Sequence, residues 1–163
     1  MKKGYLANGL FSIGDRAVNK AIKNKLNSIA VLGTLELYVP QDNEAINDKS
    51  SFADSVTIAD ADAKELMESD FLIAVIDGVE IDSGVAAEIG MFATTGKPIY
   101  ALYTDVRLNG ADNKDKVNAL IKDATENQFM YRNLFVVGLI KKNGLILNDI
   151  QTLCETIARK ELF

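Results

Sequence analysis

FLIAVIDGVEIDSGVAAEIG, residues 71–90, is the stretch of sequence that decides the fold. Its first six residues, 71–76, are all apolar, which is typical of a central strand buried on both faces of a sheet. The acidic loop 77–82 follows, and the small residues from Ser83 onward predict a helix that stops near Gly96. A buried strand, a polar loop and a helix in this order indicate a parallel α/β sheet.

The same alternation of strand and helix extends from this stretch toward both ends of the chain. The periodicity of apolar residues predicts a helix from Ser12, a helical face from Phe52 to Met67, a short helix around 117–121 and a terminal helix from Ile150. Residues 134–140 fit either a helix or a strand. Further strands are predicted at 4–7, 35–39, 99–103 and 145–147. We therefore expect an α/β fold with a doubly wound, five-stranded parallel sheet.

Length and composition limit the classes of protein that remain. The 163 residues fit one domain spanning residues 1–163, and 48% hydrophobic residues supply its core. A net charge of −5 makes nucleic acid an improbable partner. Without a run of about 18 apolar residues or a signal-peptide pattern, a cytoplasmic location without membrane contact is expected. The one cysteine, Cys154, lies on an apolar helical face and is predicted to be buried.

The absence of histidine narrows the possible chemistry. It excludes Ser-His-Asp and Cys-His mechanisms and the commonest zinc and iron ligand sets. Acid–base work must then fall to Asp, Glu, Tyr or Lys.

Carboxylates collect where a parallel sheet places its ligands, at the carboxyl ends of the strands. The segment 77–88 contains Asp77, Glu80, Asp82 and Glu88, and it has neither phosphate-binding glycine motif. Negative charge there repels an anion, so a neutral substrate fits better. Paired carboxylates without histidine indicate glycosyl chemistry, in which one carboxylate attacks the anomeric carbon and an acid protonates the leaving group. The alternative is that these acids are helix caps and solvated surface charges.

Four ordered motifs resemble those of the nucleoside 2-deoxyribosyltransferase family. They are YLANGLF at 5–11, YVPQDN at 38–43, DSGVAAEIG at 82–90 and NLFVVG at 133–138, and the position of Asp62 also fits. The resemblance implies a flavodoxin-like three-layer sandwich. It also implies an enzyme that moves 2-deoxyribose between purine and pyrimidine bases in nucleoside salvage, with no metal or cofactor.

The resemblance implies a set of catalytic residues. Glu88 matches the nucleophile that forms a deoxyribosyl ester in a retaining double displacement, and Tyr5 matches the tyrosine that orients it. Asp82 and Asp62 match positions that hydrogen-bond the base, and a proton donor among them predicts a raised pKa at one of the two. Because Glu88 lies near a helix N-terminus, we also expect the helix dipole to favour its ionised form.

The remaining expected site residues bind substrate. Asn133 matches a residue that reaches the 5′-hydroxyl in a neighbouring subunit, which implies a homo-oligomer built from dimers and typically a hexamer. Asp42 and Asn43 lie in a loop that approaches the base, and Gly9 and Phe11 belong to the first motif. Four of the expected site residues also have a structural alternative. Asp82 and Asn133 can be helix caps, and Tyr5 and Phe11 can be core residues.

Two other functions stay open. The first is a 2′-deoxynucleoside 5′-monophosphate N-glycosidase on the same scaffold, in which water replaces the second base and Ser12 and Arg132 are candidate phosphate ligands. The second is a non-catalytic nucleoside-sensing domain. The partners expected in the leading interpretation are 2′-deoxyribonucleosides and free bases.

Overall fold

The computed structural model describes residues 1–44, 52–123, 125 and 131–163. Five strands form one parallel sheet in the order β2-β1-β3-β4-β5. The strands are β1 (Lys2–Ala7), β2 (Leu35–Tyr38), β3 (Phe71–Val75), β4 (Ile99–Leu102) and β5 (Gly144–Leu147). The expected five-stranded parallel sheet is therefore confirmed, and its strand order is the flavodoxin-like one.

Helices cover both faces of the sheet. Those described are α1 (Ile13–Ile29), α2 (Ser55–Glu68), α3 (Ser83–Ala93), α4 (Lys114–Lys122), α5 (Leu134–Asn143) and α6 (Ile150–Ile157). Buried residues of α1 and α6 share one apolar cluster with one face of the sheet, and those of α2, α3 and α5 share another with the opposite face. This arrangement is the doubly wound three-layer sandwich. No helix of the described ranges has the length and apolarity needed to cross a bilayer.

Strand β3 carries the core, as its run of apolar residues predicts. All five of its residues are buried, with alternate side chains in the two apolar clusters. Cys154 lies fully buried in the cluster beneath α1 and α6, so its predicted structural position is confirmed.

Helix capping explains several boundaries. The helix predicted from Ser12 is α1, and Ser12 and Asp15 form a capping box at its start. The ambiguous run after residue 133 is helical: Asn133 caps α5, whose buried residues Val136 and Ile140 are four apart. The helical face expected from Phe52 is wrong at its start, because α2 begins at Ser55 after the cap Asp54, and Phe52 is exposed.

Residues 41–51 are polar and without an apolar period, which predicts a long loop. The structure describes this stretch only to residue 44, and residues 40–42 form a short 3₁₀ turn. Residues 45–51 lie outside the described residues, as do 124 and 126–130.

The strand order reverses at β1, since β2 lies on one side of it and β3 on the other. Pairing in register places Tyr5 of β1 beside Tyr38 of β2. Because neighbouring residues of parallel strands point to the same face, both rings lie on the face covered by α2 and α3.

Candidate active site

A tyrosine and a glutamate meet beneath the reversal point of the sheet. The Tyr5 hydroxyl donates to Glu88 Oε1 at 2.5 Å. Tyr5 is fully buried on β1, and Glu88 lies on the sheet-facing side of α3 between the buried residues Val85 and Ile89. The ring of Tyr5 packs in the core, as its structural alternative predicts, and its hydroxyl in addition holds the Glu88 carboxylate.

Burial dominates the electrostatics of Glu88. Desolvation raises its pKa to about 7, opposed by the hydrogen bond from Tyr5 and assisted by the negative charges of Asp62 and Asp82. The helix dipole was expected to favour the ionised form of Glu88, but the pKa of this residue is raised and not lowered. Glu88 is the sixth residue of α3, beyond the first turn in which the dipole is felt. Burial likewise raises the pKa of Tyr5, so its hydroxyl remains a donor.

A second carboxylate joins the same region through a chain of hydrogen bonds. Tyr38 donates from its hydroxyl to Asp62 Oδ1 at 3.0 Å and accepts from Asn43 Nδ2 at 2.9 Å. The rings of Tyr38 and Tyr5 pack with centroids 5.3 Å apart. Burial raises the pKa of Asp62, the Tyr38 hydrogen bond lowers it, and Glu65 raises it. The raised pKa expected at one of two aspartates is thus found at Asp62.

Asp82 takes the structural role that was its alternative. It is the N-cap of α3, and its Oδ1 accepts from the backbone N–H groups of Gly84 at 2.8 Å and Val85 at 3.1 Å. Its negative charge still acts on Glu88. Asp77, in the same acidic loop, accepts from the backbone and hydroxyl of Thr104 and so ties the ends of β3 and β4 together.

The loops after β1 and β2 are joined by a buried asparagine. Asn19 of α1 is 2% exposed, and its Nδ2 donates to the Gly9 carbonyl at 3.1 Å and to Gln41 Oε1 at 3.0 Å. Asp42 pairs with Lys23 at 2.6 Å at the exposed edge of this region. Gly9 is thus held through its backbone, and the Asp42 carboxylate is engaged by a lysine.

Two expected site residues lie apart from these contacts. Phe11 is 82% exposed, so its core alternative is wrong. Asn133 is exposed and caps α5 through Oδ1, which accepts from Phe135 N and Val136 N, so its cap alternative is realised. It also lines a cavity of about 410 Å³ with Glu80, Tyr131 and Arg132. Within the described ranges, no hydrogen bond joins Asn133 to Tyr5, Asp62 or Glu88.

Tyr38 and Asn19 belong to this region although the sequence did not predict it. Tyr38 is the first residue of the motif at 38–43, but its position in a predicted strand gave no sign of its polar partners. Asn19 interrupts the apolar face of α1 at a position that becomes buried, and a polar residue on a buried face is the signal that was available. Among the described residues, no three potential metal ligands cluster.

The arrangement suits covalent chemistry at a glycosidic carbon. Glu88 Oε1 is fixed by Tyr5, and no described residue bonds Oε2, which leaves that oxygen for attack. Asp62 has its Oδ1 engaged and its Oδ2 without a partner among the described residues. Retaining glycosyl transfer in general uses two carboxyl groups, one ionised and one carrying a proton.

Comparison with solved structures agrees with this fold. A conserved protein from Enterococcus faecalis V583 is 45% identical, with a TM-score of 0.90 over 98% of this chain and 99% of that chain. A 2-desoxiribosyltransferase from Leishmania mexicana is 18% identical, with a TM-score of 0.62 over 99% of this chain and 100% of that chain. A CMP N-glycosidase from Clostridium botulinum is 19% identical, with a TM-score of 0.52 over 97% of this chain and 98% of that chain.

The last two likenesses are to the fold alone. No curated protein sequence gives a significant match. The family model for nucleoside 2-deoxyribosyltransferases matches residues 5–121, a range that contains Tyr5, Asp62, Asp82 and Glu88. By this match, the chain belongs to the nucleoside 2-deoxyribosyltransferase family.

Proposed function

We propose that this protein transfers 2-deoxyribose between nucleobases through a deoxyribosyl ester on Glu88. The observation that carries the proposal is the hydrogen bond from Tyr5 to Glu88 Oε1 at 2.5 Å, which holds a carboxylate of pKa about 7 at the reversal point of the sheet. At neutral pH about half of such a group is ionised. Glu88 is therefore a nucleophile that is both oriented and available.

In the first half of the reaction, Glu88 Oε2 attacks C1′ of a 2′-deoxyribonucleoside. The C1′–N bond breaks, and its electron pair stays on the base nitrogen, which takes a proton from Asp62. In the second half, another base attacks C1′, its proton returns to Asp62, and Glu88 leaves as a carboxylate. Two inversions at C1′ give overall retention.

We assign the proton to Asp62 rather than to Asp82, which the resemblance had placed among the catalytic groups. Asp62 is half-buried and burial raises its pKa, so it holds a proton more readily than an exposed carboxyl. Asp82 is exposed and accepts two backbone N–H bonds. Its other oxygen has no partner among the described residues and can accept from the amino group of a base.

Base exchange tests this proposal directly. Incubation with thymidine and adenine is expected to yield 2′-deoxyadenosine and thymine, measured by chromatography over a time course. Uridine and adenine should not yield adenosine and uracil at a comparable rate if the sugar must be 2-deoxyribose. Release of thymine from thymidine that does not respond to added adenine would contradict the transferase assignment and favour hydrolysis.

A monophosphate N-glycosidase is the second candidate, because a CMP N-glycosidase shares the fold. The expected phosphate ligands are engaged elsewhere. Ser12 donates its hydroxyl to Asp15 Oδ2 at 2.6 Å, and the Asp15 carboxylate packs against Gly9, so negative charge already occupies the start of α1. Arg132 donates to the Gly78 and Val79 carbonyls and lies 4.5 Å from the Tyr103 ring centroid. These contacts favour a nucleoside over its 5′-phosphate.

We further propose a cytoplasmic homo-oligomer in which Asn133 completes the site of a neighbouring subunit. Support comes from the surface beside Asn133, where large apolar side chains are exposed. These are Val79, Tyr131, Leu134 and Phe135. Exposed apolar side chains that lie near one another are typical of protein interfaces.

Mixing two damaged subunits tests whether Asn133 acts across an interface. Asn133→Ser keeps an N-cap oxygen for α5 while removing the amide donor, so the helix is retained. We expect Asn133→Ser and Glu88→Ala homo-oligomers each to exchange bases slowly, and the mixture, after subunit exchange, to regain a large part of the activity. A mixture no more active than the sum of its parts, with hetero-oligomers confirmed by native mass spectrometry, would contradict the shared site.

A further inference from the structure

We propose that Tyr38 is a positioning residue that fixes the reactive proton of Asp62 on Oδ2, the oxygen free to face the departing base. The inference rests on the proposed function and deepens it. The inference gives Tyr38, the first residue of the motif at 38–43, a function in the departure of the base. The position of Tyr38 in a strand did not indicate this function.

The direction of the hydrogen bonds determines where the proton can lie. A phenol hydroxyl carries one hydrogen. The Tyr38 hydroxyl accepts from Asn43 Nδ2, an amide donor at 2.9 Å, and points its own hydrogen to Asp62 Oδ1 at 3.0 Å. Because Oδ1 is already an acceptor, a neutral Asp62 must carry its hydrogen on Oδ2.

The Tyr38 hydroxyl is a lasting donor. Its pKa is raised to about 12, chiefly by burial and further by the charge on Asp62, so it stays protonated in the physiological range. Its ring is held against Tyr5 at a centroid distance of 5.3 Å. The donor that fixes Asp62 is thus anchored to the tyrosine that fixes Glu88, and both carboxyl groups are oriented from one aromatic pair.

Asp62 is faced by titratable groups from several elements. Tyr38 of β2 donates to it, Tyr5 of β1 and Glu88 of α3 lie within range of its charge, and Glu65 follows one turn later in α2. Glu65 is itself paired with Lys3 at 2.8 Å. Among these groups Tyr38 alone hydrogen-bonds to Asp62, so removing one hydroxyl isolates its effect.

Tyr38→Phe tests the proposal with two donors of the sugar. Thymidine needs a proton on its leaving base, whereas 7-methyl-2′-deoxyguanosine carries a cationic base that leaves without one. For Tyr38→Phe we expect kcat of thymine release to fall about tenfold, the value of one lost hydrogen bond, with KM little changed. The kcat for the methylated donor should stay within about twofold of wild type.

The matched control is Tyr100→Phe. Tyr100 also donates its hydroxyl to a carboxylate, Glu161 at 2.5 Å, but it belongs to the apolar cluster on the opposite face of the sheet. This variant should leave both rates unchanged. Asp62→Asn should reproduce the selective loss with thymidine more strongly. If Tyr38→Phe lowers kcat equally for thymidine and for 7-methyl-2′-deoxyguanosine, the site as a whole is damaged and the proposal is overturned.

A titration separates this inference from the proposed function. The protein is labelled with ¹³C-aspartate and titrated by NMR in a Glu88→Gln background, which removes the electrostatic coupling between Asp62 and Glu88. The signal of the Asp62 carboxyl is identified as the one that disappears in Asp62→Asn. Because the Tyr38 hydrogen bond lowers the pKa of Asp62, adding Tyr38→Phe should raise it. An unchanged pKa overturns the positioning role whether or not the protein exchanges bases, and absence of exchange in the wild type overturns the proposed function alone.

Discussion

Base exchange by Glu88→Ala is expected to be at least ~10³-fold slower than by the wild type, the scale of losing a covalent nucleophile. The side chain removed is the carboxylate held by Tyr5, and no described carboxylate takes its place there, since Asp62 is bonded to Tyr38 and Asp82 caps α3. The rate is measured with thymidine and adenine. Intact-mass spectrometry with a slow 2′-fluoro nucleoside should add one sugar to the wild type and none to the variant.

Glu88→Gln is the control that separates lost chemistry from lost folding. In the folded protein the pKa of Glu88 is raised from 4.5 to about 7. Ionised Glu88 therefore lowers the free energy of unfolding. This destabilisation is absent below pH 4.5, grows between pH 4.5 and 7, and is complete above pH 7. Removing the charge should stabilise the protein by roughly 2 kcal/mol at pH 8 and by little at pH 4. If Glu88→Gln is inactive and has this stability profile, it is folded and has lost only its chemistry. Base exchange within tenfold of wild type by a folded Glu88→Ala would show that Glu88 is not the nucleophile.

The sequence is sufficient for the sheet because its strands are signalled locally. The run 71–76 is apolar throughout, and β3 lies where that run predicts. Residues 134–140 were ambiguous because a run of seven residues that is apolar apart from Gly138 fits both periods. What makes them helical is the cap at Asn133 together with the immediate start of β5 at Gly144.

The site was predictable only in part, for a physical reason. Its residue types and their order signal carboxylate chemistry, but the environment of each carboxylate depends on partners far along the chain. Tyr5 and Glu88 are 83 residues apart, and Tyr38 and Asp62 are 24 apart. Strand register brings the two tyrosines together, and burial in the folded protein then raises the pKa of Glu88.

Tyr5→Phe is expected to slow the reaction most strongly at low pH. The Tyr5 hydrogen bond lowers the pKa of Glu88, and without it burial should hold that pKa above its present value of about 7. A larger fraction of the nucleophile is then protonated at neutral pH. Loss of a hydrogen bond to a charged group corresponds to a rate loss of about 10- to 100-fold at pH 6–7.

The methylated donor 7-methyl-2′-deoxyguanosine separates this measurement from Asp62, because its base leaves without a proton. The donor loses its own N1 proton near neutral pH, so kcat/KM is referred to the concentration of the cationic donor, and the remaining pH dependence reports Glu88. For the wild type the rate should rise with pH to a plateau with its midpoint near 7. For Tyr5→Phe the midpoint should move to higher pH, so that much of the lost rate returns by pH 9. A rate lowered equally at every pH would mean that Tyr5 serves packing alone. Tyr38→Phe should leave this midpoint in place, since its hydroxyl acts on Asp62, so the two tyrosines are distinguished by which carboxyl group each one controls.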